Sequence, residues 1–124
     1  MNVIDSSAWL EYFADGPNAE YFARAIEKTA ELVVPVICIY EVFKRILQQR
    51  SRTDALNAVM VMSQGRVVDL HASLAMSAAQ LSLEHQMPLA DSVILATARS
   101  LNATIWTQDA DFESLPNVRF KPKA

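Results

Sequence analysis

Four acids stand where a carboxylate calls for an explanation. Asp5 follows the short β-branched run Val3-Ile4, and Glu41 sits inside the apolar run from Ile37 to Phe43. Asp91 lies just after Pro88, ahead of Val93-Ile94-Leu95-Ala96. Asp109 follows Thr104-Ile105-Trp106-Thr107-Gln108, with Asp111 close behind. Carboxylates gathered within a few ångströms repel one another, and their pKa values rise unless a cation intervenes. Apart from Lys44 and Arg45, no basic residue lies in these segments. The donors are all hard oxygens, and no Cys or His stands at ligand spacing. That set favours Mg²⁺, with Mn²⁺ as a substitute, over Zn²⁺. The chemistry it suits is phosphodiester hydrolysis, in which a metal polarises the phosphate and activates water, so that no protein nucleophile is needed.

Each acid also has a simpler explanation. Asp5 and Asp109 are good helix caps, and Asp91 suits the positive end of a helix. Glu41 has Lys44 and Arg45 at i,i+3 and i,i+4, a pairing worth only about 0.2–0.5 kcal/mol. Glu41 is served worst by this account, because a half-buried carboxylate among apolar neighbours needs a strong partner. Ser6, Ser7 and Thr107 flank two of the acids, either to orient carboxylates and water or to cap helices. Two basic groups, Lys44/Arg45/Arg50/Arg52 and Arg119/Lys121/Lys123, suit either phosphate contact or plain solvation. His71 and His85 fall outside every acid segment and read as loop or helix-end residues. Met60, Met62, Met76 and Met87 suit core or interface packing.

The elements that must position these acids follow from periodicity and breakers. Val3-Ile4 predicts a strand, and Ala8–Ala14 a helix that Gly16-Pro17 ends. Asn18 is expected to cap a second helix carrying Tyr21, Phe22, Ala25 and Ile26 on one stripe. Leu32–Val34 predicts a strand closed by Pro35, followed by helices over Val36–Gln49 and Thr53–Ser63. Val67-Val68 is a strand, and Ser73–Glu84 a helix. Pro88 opens a helix to about Leu101 whose middle is apolar nearly all round, which predicts a central buried element. Thr104–Trp106 is a strand, and Val118–Phe120 a fifth at an edge. Strands separated by helices, with no two-residue hairpin turn, predict a parallel α/β sheet of four or five strands. Such sheets bind ligands beyond the carboxyl ends of their strands, where Asp5 and Asp109 fall.

The 124 residues predict one domain over 1–124, and 52% hydrophobic residues suffice for one core. No apolar run approaches the ~20 residues of a membrane span. The N-terminus has neither a basic nor a long apolar segment, so a cytoplasmic chain is expected. The lone Cys38 predicts a buried, inert thiol. A net charge of −3 argues against a uniformly basic nucleic-acid binder, although a bound cation would offset part of it.

Four motifs resemble the PIN domain, specifically of the VapC toxin type. Val3-Ile4-Asp5-Ser6-Ser7-Ala8 is similar to its opening strand. Pro35-Val36-Ile37-Cys38-Ile39-Tyr40-Glu41-Val42 is similar to its second motif. Pro88-Leu89-Ala90-Asp91-Ser92-Val93-Ile94-Leu95-Ala96-Thr97-Ala98 resembles its third, and Thr107-Gln108-Asp109-Ala110-Asp111-Phe112 its fourth. Together they span nearly the whole chain in family-like order. The resemblance implies a three-layer α/β/α fold and a Mg²⁺-dependent endoribonuclease toxin. It implies metal-binding, catalytic roles for Asp5, Glu41, Asp91 and Asp109, with Asp111 as a candidate auxiliary ligand. It also implies an RNA substrate, a homodimer and a cognate antitoxin that occludes the site. Many relatives carry a glycine shortly after the second-motif glutamate, where this chain has Lys44-Arg45-Ile46, a departure that bears on substrate contacts. Two alternatives share the fold: an RNA-processing nuclease without an antitoxin, and a non-catalytic interaction domain. A phosphotransfer receiver domain fits poorly, since Asp5 has no adjacent acid and Trp106-Thr107-Gln108 supplies no lysine.

Overall fold

A computed structural model describes residues 1–124. Five parallel strands form one sheet: β1 (Asn2–Ile4), β2 (Leu32–Pro35), β3 (Arg66–Val68), β4 (Thr104–Thr107) and β5 (Val118–Phe120), in the order β3-β2-β1-β4-β5. Helices α1 (Ser6–Phe13) and α2 (Ala19–Ile26) join β1 to β2, and α3 (Val36–Gln49) and α4 (Arg52–Met62) join β2 to β3. Helices α5 (Ala72–His85) and α6 (Leu89–Ser100) lead from β3 back to β4. The first two connections run toward β3 and the third runs back across the sheet. Right-handed crossovers therefore put their helices on opposite faces, which makes three layers.

The central strands are apolar and buried, with Val3, Ile4, Val33, Val34 and Ile105 nearly inaccessible, as a sheet covered on both faces requires. The edge strand β3 is short and largely exposed. Every residue of α6 from Ser92 to Ala98 is buried. Its two polar residues there bond locally: the Ser92 hydroxyl donates to the Leu89 carbonyl at 2.7 Å and that of Thr97 to Val93 at 2.8 Å. Gly65 turns the chain between α4 and β3 so tightly that a Cβ there would lie 2.7 Å from Leu32 Cγ.

Several local expectations need correction. Helix α1 starts at Ser6 rather than Ala8, because the Asp5 carbonyl accepts from the Ala8 and Trp9 amides. Ser6 and Ser7 thus lie within the helix instead of before it. Asn18 occupies the cap position of α2, but its side chain makes no cap bond. It donates instead to Gln108 at 3.1 Å and to the Pro122 carbonyl at 3.0 Å, so two acceptors from distant segments turn the amide away from the helix end. Met62 and Met87 are core residues, whereas Met60 and Met76 are 70% and 64% exposed. Cys38 is fully buried; its thiol approaches the Ile4 carbonyl at 3.7 Å, and burial pushes its pKa well up. His71 caps α5, accepting from the Leu74 amide, and His85 ends the same helix.

Candidate functional site

Strand order reverses between β1 and β4: the connection from β1 leads to β2 on one side, and that from β4 leads to β5 on the other. The two loops part there and leave a crevice beyond the carboxyl ends of the strands. A cleft of about 440 Å³ opens at this point, lined by Asp5, Glu41, Asp91 and Asp109 together with Ser6, Ser7 and residues of α3. The acids arrive from four elements. Asp5 ends β1, Glu41 faces in from the second turn of α3, Asp91 lies in the first turn of α6, and Asp109 follows β4.

Asp5 is only 3% exposed. Its Oδ2 accepts from the Ser7 hydroxyl at 2.6 Å and from the Thr107 hydroxyl at 2.8 Å. Its side chain caps nothing. Burial pushes its pKa up, those two hydroxyls pull it down, and the Asp109 charge pushes it up again. Thr107, itself inaccessible, also accepts from the Asp109 amide at 2.9 Å, so one hydroxyl ties the two loops together. The Asp109 carboxylate caps the short 3-10 turn Ala110–Phe112 through the Asp111 amide at 2.9 Å. Capping and lining the cleft are therefore compatible uses of one side chain. Glu41 pairs with neither Lys44 nor Arg45, since the one ion pair in the structure joins His85 and Glu84. Its Oε1 accepts instead from the Ser6 hydroxyl at 2.6 Å.

Asp91 is shifted strongly as well. Burial first, and then the charges of Asp5, Asp109, Asp111 and Glu41, push its pKa from an ordinary 3.8 up to about 7. Asp91, Asp109 and Asp111 each bring a carboxylate oxygen within 4.8 Å of the others, close enough to share a cation. Asp111 is exposed and does not line the cleft, yet it belongs to this trio, while Asp5 and Glu41 do not.

The basic group of α3 and α4 is divided by the fold. Lys44 and Arg45 line the cleft, whereas Arg50 lies in a separate hollow with Phe13, Ile46 and Asp54. Tyr40 and Gln48 also line the cleft without having been singled out from the sequence. For Gln48 the signal is helical spacing: Glu41, Lys44, Arg45 and Gln48 follow i, i+3, i+4, i+7 and share one face. Gln108 was missed too. It donates to the Ser7 carbonyl at 3.4 Å and accepts from Asn18, bracing the loop that carries Asp109. A residue whose contacts all lie far along the chain leaves no local pattern.

The PIN domain family model matches residues 3–118. This chain belongs to the PIN domain family. No curated protein matches it by sequence. Among solved structures, this PIN domain resembles a toxin–antitoxin complex from Klebsiella pneumoniae, with a TM-score of 0.83, 20% identity and full coverage of both chains. It also resembles VapC20 of Mycobacterium tuberculosis, a sarcin-ricin loop cleaving toxin, with a TM-score of 0.82 and 17% identity over 98% of this chain and 100% of that one. FitAcB from Neisseria gonorrhoeae follows, with a TM-score of 0.73 and 19% identity over 98% of each chain. At such identities the likeness is one of fold. No helix of the PIN domain is long and apolar enough to cross a membrane.

Proposed function

We propose that this chain acts as one PIN domain and as an endoribonuclease toxin dependent on Mg²⁺, with Mn²⁺ able to substitute. The observation that carries the reading is the convergence of Asp5, Glu41, Asp91 and Asp109 on one cleft at the switch point of the sheet. The donor set fits a hard divalent cation. It is all carboxylate and hydroxyl oxygen, no ion pair neutralises it, and burial followed by the neighbouring acids pushes Asp91 toward its neutral form. Asp5, Glu41, Asp91 and Asp109 would hold the ion with Asp111 as an auxiliary, Asp91, Asp109 and Asp111 being the trio whose oxygens already lie closest together. A divalent cation bound there supplies a Lewis acid for the phosphoryl group and acidifies water.

The chain's own groups supply position. Thr107 and Ser7 hold the Asp5 carboxylate in one orientation, Ser6 holds Glu41, and the Asp109–Asp111 turn holds Asp109. Preset donors and acceptors of this kind lower the reorganisation needed at the moment of reaction. Lys44 and Arg45, on the α3 wall, would meet the phosphates that flank the scissile bond. A cognate antitoxin would silence the site by bringing positive charge onto the same acids, and two copies of the chain would form a homodimer.

The test is cleavage of total RNA by the purified protein with Mg²⁺, with EDTA, and after Asp5→Asn. Cleavage confined to the wild type with Mg²⁺ is expected. No cleavage of any cellular RNA, together with normal growth when the chain is expressed alone, would leave a non-catalytic interaction domain as the better account.

A further inference from the structure

Beside the cleft, cations collect over an aromatic floor. Tyr21 of α2 packs on Trp106 of β4 with ring centroids 5.3 Å apart. Three cations ring this pair. The Arg119 guanidinium lies 5.1 Å from the Trp106 centroid, and Arg24 and Lys121 lie 5.7 Å and 5.5 Å from that of Tyr21. Arg119 stands opposite Trp106 in the β4–β5 register, and Lys121 follows two residues on, so both point to the same face. None of the three comes within 4.0 Å of a carboxylate, not even Arg24, with Glu20 one turn before it on α2. All three are exposed, whereas Trp106 is only 7% exposed. The rings are therefore a floor rather than a stacking surface, and the charged heads form the outer layer.

Hydrogen bonds link the chain that carries this layer to the loop that carries Asp109. The Lys121 amide donates to the Thr107 carbonyl at 2.9 Å, and Asn18 ties the Pro122 carbonyl to Gln108, the residue before Asp109. Adjacent strands lie ~4.8 Å apart, so the end of β5 is roughly 10 Å across the sheet from the end of β1, where Asp5 stands. An acid-lined cleft repels a polyanion, and a chain of net charge −3 offers no general attraction to one. Unpaired cations on the neighbouring strand β5 and on α2 supply the attraction that is missing. A guanidinium lying on a ring also keeps its edge donors directed outward, in the fork that suits phosphate.

We propose that Arg24, Arg119 and Lys121 bind the phosphate backbone of RNA and hold it on the side of the sheet that flanks the acid cleft. The proposal rests on the ribonuclease reading for its ligand, while its test does not need cleavage. Binding of a fluorescein-labelled 20-nucleotide mixed-sequence RNA is measured in EDTA as salt is varied, for the wild type and for Arg24→Gln/Arg119→Gln/Lys121→Gln. Each phosphate contact contributes about 0.7 to the slope of log affinity against log salt for single strands. The triple variant should bind about tenfold more weakly or worse in low salt, with a slope reduced by about 2. The charge-conserving Arg24→Lys/Arg119→Lys/Lys121→Arg should keep the wild-type slope. If the triple variant does not fold, Lys121→Gln alone should lower the slope by about 0.7. Unchanged affinity and slope would overturn the proposal, as would unchanged RNA binding with lost binding of an acidic protein partner. Patch-dependent binding by a wild type that cleaves nothing in Mg²⁺ would sink the nuclease reading and leave this surface standing.

Discussion

The acid cleft and the cationic surface beside it handle charge in opposite ways. In the cleft, like charges from four elements are crowded and partly buried, and Asp91 is pushed up to about 7 as a result. On the α2–β5 surface, Arg24, Arg119 and Lys121 stay exposed, spread over two rings. Burying like charge costs folding free energy and leaves a demand for a counter-ion. Exposed charge costs little and acts at longer range. The proposed reaction thus draws on crowding that costs stability, and the proposed RNA surface on exposed charge that the fold scarcely notices.

That contrast is broken most directly by removing one charge from the cleft. Asp109→Asn should lower RNA cleavage by more than about a hundredfold, since losing even an outer support of a metal site costs about 10–100-fold. Thermal melting in EDTA at neutral pH should be unchanged or higher, because one repulsive charge is gone. A variant that melts lower and cleaves normally would invert the comparison. Next comes the hydroxyl that joins the two loops. Thr107→Val removes the donor to Asp5 and the acceptor of the Asp109 amide. It should cost about 1–3 kcal/mol by chemical denaturation and about 10–100-fold in cleavage.

The cleft's demand for a counter-ion is sharper still when read as stability. Mg²⁺ at a hundredfold excess over its Kd should stabilise the wild type by about 2.7 kcal/mol. The rise in Tm should shrink in Asp91→Asn, and an equal rise in both proteins would argue against a metal at Asp91. Without metal, stability should also depend on pH. Asp91 is held near 7 in the fold against an ordinary 3.8, so folding takes up a proton between those values. That contribution is fully present below pH ~4 and is lost as pH rises through 7. Melting in EDTA should fall across this window, and less steeply in Asp91→Asn. A flat profile would mean that the acids are not crowded in solution. The smallest effect belongs to the other region. Lys121→Gln should change stability by no more than about 0.5 kcal/mol in denaturant titrations, and a larger loss would show that the cations hold the fold together.

Much of this architecture was readable in the chain. The alternation of β-branched runs with helical stripes dictated the parallel sheet, and apolar residues all round α6 dictated its burial. The acids stood out because each sits at a strand end or within an apolar helix, where solvation does not explain it. The positions of Glu41, Lys44, Arg45 and Gln48 on one face followed from helical spacing alone. What the chain could not say is which faces meet. Ser6 reaches Glu41 across 35 residues, and Thr107 reaches Asp5 across 102. Asp111 joins Asp91, and Lys44 parts company with Arg50, through packing between elements. Arg24 meets Tyr21 within α2, but only the pairing of β5 with β4 sets Arg119 and Lys121 beside it. Periodicity fixes the direction of a side chain within its own helix or strand. The partners it finds there depend on strand order and crossover, which pair residues far apart in sequence and leave no local trace.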